Sequence, residues 1–329
     1  MNVNQGTGRK PFGGINIFVC GAIIAVLLWS TSFVATKVAY ASFAPLTLGA
    51  VRFCIAAIVL GLIKMMMKKD KVKPTKKDLG LIGVSGLLGT TIYFALENVG
   101  LEMTTASNAA LIIASYPAIT ALLELFIFRI RIAGLKGIGI VLAIAGVYHL
   151  LSYSGGQSPV GEHQLLGDLI LVSAGVVFAF YTFTTRKVVA TYSMITVLYY
   201  QTLVGAVAFI PLAFTEASRW RMPTTESFLI VVYLGIFCSV VAFFLYNYAL
   251  RELSSSTAVA LMNLVPVFGV LFSVLFLGEV IRSGQLIGGA LVILGVVLSV
   301  KETKKGLAWS RSRARTRAQR ESLRETGAS

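Results

Sequence analysis

Residues 94–107 read FALENVGLEMTTAS, and residues 244–257, at an offset of 150, read FLYNYALRELSSST. Laid over each other without a gap, the two stretches put Glu102 on Glu252 and an aromatic on Phe94. The coincidence extends in both directions. SFVATKV at 32–38 lies over TFTTRKV at 182–188, so Phe33 meets Phe183 and Lys37 meets Lys187. After one extra residue in the first copy, Pro117 falls on Pro266, Gly139 on Gly288 and Gly146 on Gly295. Small and special residues landing together in one nearly gapless register mark an internal duplication.

What is duplicated is apolar. The 329 residues are 56% hydrophobic and 13% charged, with a mean hydropathy of +0.81, and the charged share is about half that of soluble proteins. Windows of about 20 apolar residues, enough to cross about 30 Å of hydrocarbon as helix, fall near 17–37, 46–64, 79–96, 105–126, 134–152, 166–186, 194–214, 228–248, 256–277 and 284–300. They are too uniformly apolar for the alternating strands of a membrane barrel. The expectation is an all-α membrane protein of ten transmembrane helices, arranged as two inverted-topology five-helix repeats. Five spans is an odd number, so the second copy enters the membrane opposite to the first, an arrangement associated with alternating-access carriers. The domains read as an N-terminal segment 1–16, a first repeat 17–152, a linker 153–165, a second repeat 166–300 and a basic tail 301–329.

A net charge of +15 suggests a nucleic-acid footprint until it is laid on this topology. Of the 29 Lys and Arg, all but Lys37, Arg52, Arg219, Arg221 and Arg282 then fall on one side, including the cluster from Lys64 to Lys77, Arg129, Arg131 and Arg251. The positive-inside rule makes that side cytoplasmic and both termini with it. The tail WSRSRARTRAQRESLRETGAS reads first as a solvated segment that fixes orientation, with anionic lipid or RNA as the other reading. No nucleic-acid partner is expected; the partners are the lipid bilayer and a small-molecule substrate.

Polar side chains inside spans are costly, which makes each a candidate, although a single Ser or Thr can bond its own helix. Clusters on matched spans carry more weight. Trp29, Thr31, Ser32 and Phe33 in the first span pair with Phe180, Tyr181, Thr182, Phe183 and Thr184 in the sixth. Aromatic walls with a few hydroxyls suit a small amphipathic organic substrate. Tyr116 precedes Pro117 in the fourth span, and Asn263 stands three residues before Pro266 in the ninth. Both prolines are read as helix kinks, facing a cavity or serving packing alone. The substrate-binding candidates are therefore Trp29, Thr31, Ser32, Phe33, Tyr116, Phe180, Tyr181, Thr184 and Asn263.

Arg52 in the second span would cost about 2.5–3.5 kcal/mol at a helix centre. It is expected to snorkel or to find a carboxylate, as a structural pair or for substrate. Glu97 and Glu124 are coupling candidates, able to carry a proton if desolvated, with interfacial salt bridges as the competing reading. No enzyme chemistry is expected. His149 and His163 are the only histidines, no metal-spaced cluster appears in a span, and the glycines form no phosphate loop. Cys20, Cys54 and Cys238 are scattered within spans, and no cofactor is expected. The first apolar run lacks a convincing cleavage site and is expected to remain a helix.

With these landmarks the chain resembles the drug/metabolite transporter (DMT) superfamily, specifically EamA-type ten-span transporters, over about residues 17–300. The carriers are WSTSFVATKVA, close to the family's Trp-Gly-x-x-Phe start, and TAVALMNLVPVFGVLFSVLFLGEVIRSGQLIGGALVILGVVL from Thr257. Ser30 departs from the family's glycine, and Phe128-Arg129-Ile130-Arg131 stands where the second copy has Leu277-Gly278-Glu279-Val280. Glu279 itself reads as a residue that orders a turn. The resemblance implies a bacterial inner-membrane carrier, usually an exporter of amino acids or related metabolites. The expected function is a secondary transporter of a small amphipathic metabolite, with uptake of a metabolite or cofactor as the alternative and a lipid enzyme or scramblase further off.

Overall fold

Where the apolar windows are described they are helical, because a backbone in lipid must satisfy its hydrogen bonds internally. The computed structural model describes residues 17–67, 74–128, 134–154, 163–189, 191–249 and 261–300. The N-terminal segment 1–16, the tail 301–329, Arg129, Arg131, Arg251, Glu252, most of the linker and the start of the ninth window lie outside them. Among the described residues eight helices are long and apolar enough to cross a membrane: α1 (Ile17–Ala39), α2 (Pro45–Met66), α3 (Lys76–Met103), α4 (Ala106–Ile127), α5 (Gly134–Ser154), α6 (Gln164–Val189), α7 (Met194–Phe214) and α8 (Thr225–Ala249). Two shorter apolar helices follow, α9 (Leu264–Leu277) and α10 (Ser283–Val300). No strand occurs among the described residues.

Local chemistry sets the boundaries. Pro45 opens α2, where a missing N–H costs nothing. Thr75, Thr105, Ser193 and Thr224 cap α3, α4, α7 and α8, each accepting a backbone N–H three residues on. At the end of α9, Gly278 turns left-handed at φ 66° and the Glu279 N–H reaches back to Ser273 O at 3.3 Å, closing a Schellman motif. In α4 a turn at Ala114 and Ser115 precedes Pro117, which has no N–H for the carbonyl four residues back. Asn263 is likewise a turn residue immediately before α9, and Pro266 lies in the first turn of that helix. Two π-helical segments, Leu87–Ile92 and Leu234–Val241, interrupt α3 and α8. Neither has a signature in the sequence reading above.

The helices pack as α5 on α10, α2 on α7, α3 on α6, α1 on α8 and α9, and α4 on α6 and α9. The α5–α10 contact is made by bare backbone. A Cβ on Gly139 would stand 2.6 Å from Gly295 O, and one on Gly146 2.8 Å from Gly288 O. Early α5 thus meets late α10 and the reverse, so the two helices run antiparallel at the close approach that small residues allow. Outward faces carry Ile58, Met65, Val141, Leu275 and Phe276, while Phe33, Leu101, Ile112, Tyr116 and Leu171 fill the interior. An apolar exterior on many spanning helices is that of an integral membrane protein.

Candidate functional site

Arg52 does not snorkel, and among the described residues it finds no carboxylate. It stands two turns into α2, is 3% exposed, and faces the π segment of α8, where its Nε donates to Ser239 Oγ at 2.8 Å. Its guanidinium carbon lies 4.8 Å from the Phe94 ring centroid and 5.4 Å from that of Phe53. Among the described residues no carboxylate comes within 4.0 Å of it and its terminal nitrogens meet no acceptor. Ser239 bonds on to Leu234 O at 3.0 Å, an i−5 contact that exists because the helix is π-wound there. Glu97 of α3, 8% exposed and one turn beyond Tyr93, lies within electrostatic reach of Arg52. The next residue, Asn98, is 1% exposed; its Nδ2 donates to Pro45 O at 3.1 Å, and its Oδ1 is buried without a donor.

From this centre an aromatic track runs through the first-copy helices to α6. Phe53 packs on Phe94, Phe94 on Tyr93, Tyr93 on Tyr116 and Phe178, and Phe178 on Tyr181, with ring centroids 4.7–6.1 Å apart. Two residues expected to bind substrate, Tyr116 and Tyr181, lie on this track, and the Tyr116 hydroxyl is tied to Leu171 O at 2.8 Å. Trp29 is elsewhere, between α1 and α8: its indole N–H donates to Cys238 O at 3.1 Å and its ring meets Phe243 and Tyr246. It therefore borders the residue next to Ser239. Thr31 shares a 2.6 Å hydrogen bond with the Tyr233 hydroxyl. Ser32 and Thr184 bond carbonyls of their own helices, and Phe33 is packed in the core against Gly269. Phe180 is 42% exposed and leans on Phe183, on the outward side of α6. Asn263 is half-buried at the start of α9 and makes no cap bond.

Several polar residues that matter to the interior were not singled out from sequence. Asp168 of α6 is 0% exposed and accepts from Thr104 Oγ1 at 2.5 Å and from Asn108 Nδ2 at 2.7 Å. A lone carboxylate just inside an apolar window was the available signal. Gln201 of α7 donates to Ser85 and Thr185. At the end of the bundle holding the α3–α4 turn, Glu279 accepts from the N–H groups of Ala106 and Ser107, the first residues of α4. There Arg219 pairs with Glu102, which holds its guanidinium above its usual pKa, and Glu216 accepts from Thr47 N at 2.8 Å. At the opposite end Glu124 pairs with Arg186 at 2.7 Å and Lys136 at 3.9 Å. Among the described residues no group of three or more potential metal ligands occurs.

Comparison with known proteins follows the same outline. A solved structure titled "Crystal structure of protein" shares the fold with a TM-score of 0.60 at 22% identity, covering 86% of this chain and 98% of its own. "Uncharacterized transporter YetK" of Bacillus subtilis is 26% identical over 80% of this chain and 81% of its own length. An "Uncharacterized transporter" of Archaeoglobus fulgidus is 29% identical over 84% and 94%. A protein of Streptantibioticus cattleyicolor named "Probable terminal-alkyne amino-acid exporter" is 27% identical over 87% and 94%. The pattern of one family matches residues 16–152 and again residues 165–301, so that nearly every described helix falls within it, and the chain belongs to the EamA-like transporter family.

Proposed function

We propose that this protein is a secondary transporter that moves a small amphipathic metabolite, an amino acid or a related compound, out of the cell by alternating access. The observation that carries the reading is the buried polar centre assembled from both family-matched segments: Arg52 and Glu97 come from the first, Ser239 from the second. Intramembrane charge is costly and is retained on substrate or ion pathways. The halves 17–152 and 166–300 act as inverted five-helix repeats that rock about this centre. The α5–α10 crossing supports the inversion. Exchanging the halves turns the Gly139–Gly295 contact into Gly288–Gly146, the other contact of the same crossing, and an antiparallel pair of matched helices is what opposite insertion requires. The exporter name of the Streptantibioticus relative supports direction and substrate class.

Trp29, Tyr116, Tyr181 and Asn263 line the pathway in this reading. Both termini are cytoplasmic in a bacterial inner membrane, and the Glu102–Arg219 end is external. Glu97 is the coupling residue; Glu124, engaged with Arg186 and Lys136, is an interfacial anchor. Counterflow in proteoliposomes loaded with a panel of amino acids tests the reading. Trp29→Ala, Tyr181→Ala and Asn263→Ala are each expected to lower the rate about tenfold. Unchanged rates in all three remove this pathway, and a rate indifferent to an imposed pH gradient removes proton coupling through Glu97.

A further inference from the structure

A guanidinium this deep in a membrane protein normally has a carboxylate on it, because removing one partner of a buried pair leaves a cost of several kcal/mol. Arg52 has one hydroxyl on Nε, two ring faces, and terminal nitrogens without acceptors among the described residues. The packing does not need its charge. The helix geometry puts Arg52 at the place of Gln201, one residue off the 150-residue offset of the flanking stretches: each is eighth in its helix, and each presents its carbonyl to a glycine of a π-containing helix, Gly235 for Arg52 and Gly86 for Gln201. A neutral amide fills that place in α7, satisfied by Ser85 at 2.7 Å and Thr185 at 3.1 Å. The charge at position 52 therefore answers to something other than the fold.

We propose that Arg52 anchors the carboxylate of a zwitterionic substrate, an α-amino acid with a hydrophobic side chain, whose ammonium group faces Glu97 and the donor-less Oδ1 of Asn98. The two free terminal nitrogens of Arg52 match the two oxygens of a carboxylate in the planar, bidentate manner that lysine cannot reproduce. The Phe53 and Phe94 rings, packed on each other, lie against the guanidinium without consuming its outer donors. Asn98, next to Glu97 in the chain, is fixed through its amide nitrogen to Pro45 O, two turns before Arg52 on α2, which leaves its oxygen as an acceptor. The aromatic track from Phe94 through Tyr93 to Phe178 and Tyr181 offers apolar surface beside this pair of charges. The inference rests on the transporter reading and specifies what its site recognises.

The test uses purified full-length protein and four probes: L-phenylalanine, L-leucine, 3-phenylpropionate without the ammonium, and phenethylamine without the carboxylate. Wild type is expected to bind the two amino acids at least about tenfold more tightly than either truncated probe. Arg52→Gln is expected to weaken both amino acids by about tenfold or more while leaving phenethylamine unchanged. Gln is the residue that α7 carries at the matched place, so this variant is expected to melt near wild type. If it fails to fold, Arg52→Lys carries the same test, weakening 3-phenylpropionate but not phenethylamine. Unchanged amino-acid binding by Arg52→Gln, phenethylamine bound as tightly as phenylalanine, or no amino-acid binding by wild type each overturns the proposal. Counterflow of some other solute by wild type and Arg52→Gln alike would do so while leaving the transporter reading intact.

Discussion

Arg52 and Gln201 hold matched places, and their surroundings differ in one respect. Both stand beside a glycine, such that a Cβ at Gly235 would lie 3.0 Å from Arg52 O and one at Gly86 2.5 Å from Gln201 O. Both helices therefore press backbone to backbone against a neighbour that is π-wound close by. The Gln201 amide spends its donors on two neutral hydroxyls of α3 and α6. Arg52 spends one donor on a hydroxyl of α8 and keeps a full charge against the Phe53 and Phe94 rings. The packing at this position thus asks for a side chain of some length with one donor, and a neutral residue supplies that. The desolvation of Arg52 is an extra cost, and the region around it is the half of the comparison that answers to a ligand.

The largest expected effect comes from making the two regions alike in the wrong direction. Gln201→Arg puts a second guanidinium beside Ser85 and Thr185, two neutral hydroxyls that cannot neutralise its charge. An uncompensated buried charge costs about 3–5 kcal/mol. The variant should express poorly and melt well below wild type in detergent, whereas Arg52→Gln should not. A Gln201→Arg protein as stable as wild type would mean that the setting of Arg52 is nothing special.

How much of this was legible beforehand follows from which signals are one-dimensional. Apolar windows, the 150-residue offset and the Gly139, Gly146, Gly288 and Gly295 positions are all properties of the string, so the helical membrane fold could be read from them. The direction a helix faces is not such a property. The cluster from Phe180 to Thr184 covers every side of α6, and packing against α3 and α4 turns Phe178 and Tyr181 inward and Phe180 outward. Ser32 and Thr184 turned back onto their own helices, the outcome open to any hydroxyl in lipid. Arg52 was visible as a costly charge, but its partner was not. Ser239 is 187 residues away and meets it across a π segment that no propensity foretells. Asp168 was legible in principle, as a single acid inside an apolar run, and its partners Thr104 and Asn108 were not.

A smaller effect separates the donor from the charge. Ser239→Ala removes the only side-chain acceptor on Arg52 Nε among the described residues while leaving both rings in place. Hydrogen bonds to charged groups contribute about 1.5–3 kcal/mol. Thermal denaturation should show a loss of that order, and binding of L-phenylalanine should weaken as well because the guanidinium is free to tilt away from its plane. Ser239→Thr, which keeps the hydroxyl, should recover both. Loss of stability with binding intact would assign Ser239 to the fold alone.

The smallest effect belongs to the neutral side. Thr185→Val deletes the longer of the two bonds made by Gln201, at 3.1 Å, and keeps the 2.7 Å bond to Ser85. Neutral hydrogen bonds contribute about 0.5–1.5 kcal/mol net, and an isosteric apolar replacement leaves no gap in the packing. The melting temperature should fall less than in Ser239→Ala, and L-phenylalanine affinity should stay at its wild-type value. The two variants make the same kind of cut, one hydroxyl removed from the side chain at a matched place. A difference in binding between them therefore measures what the charge adds, apart from what the fold needs. Equal losses of binding would move the ligand to the middle of the bundle, touching both places, and Gln201 would join Arg52 as a contact.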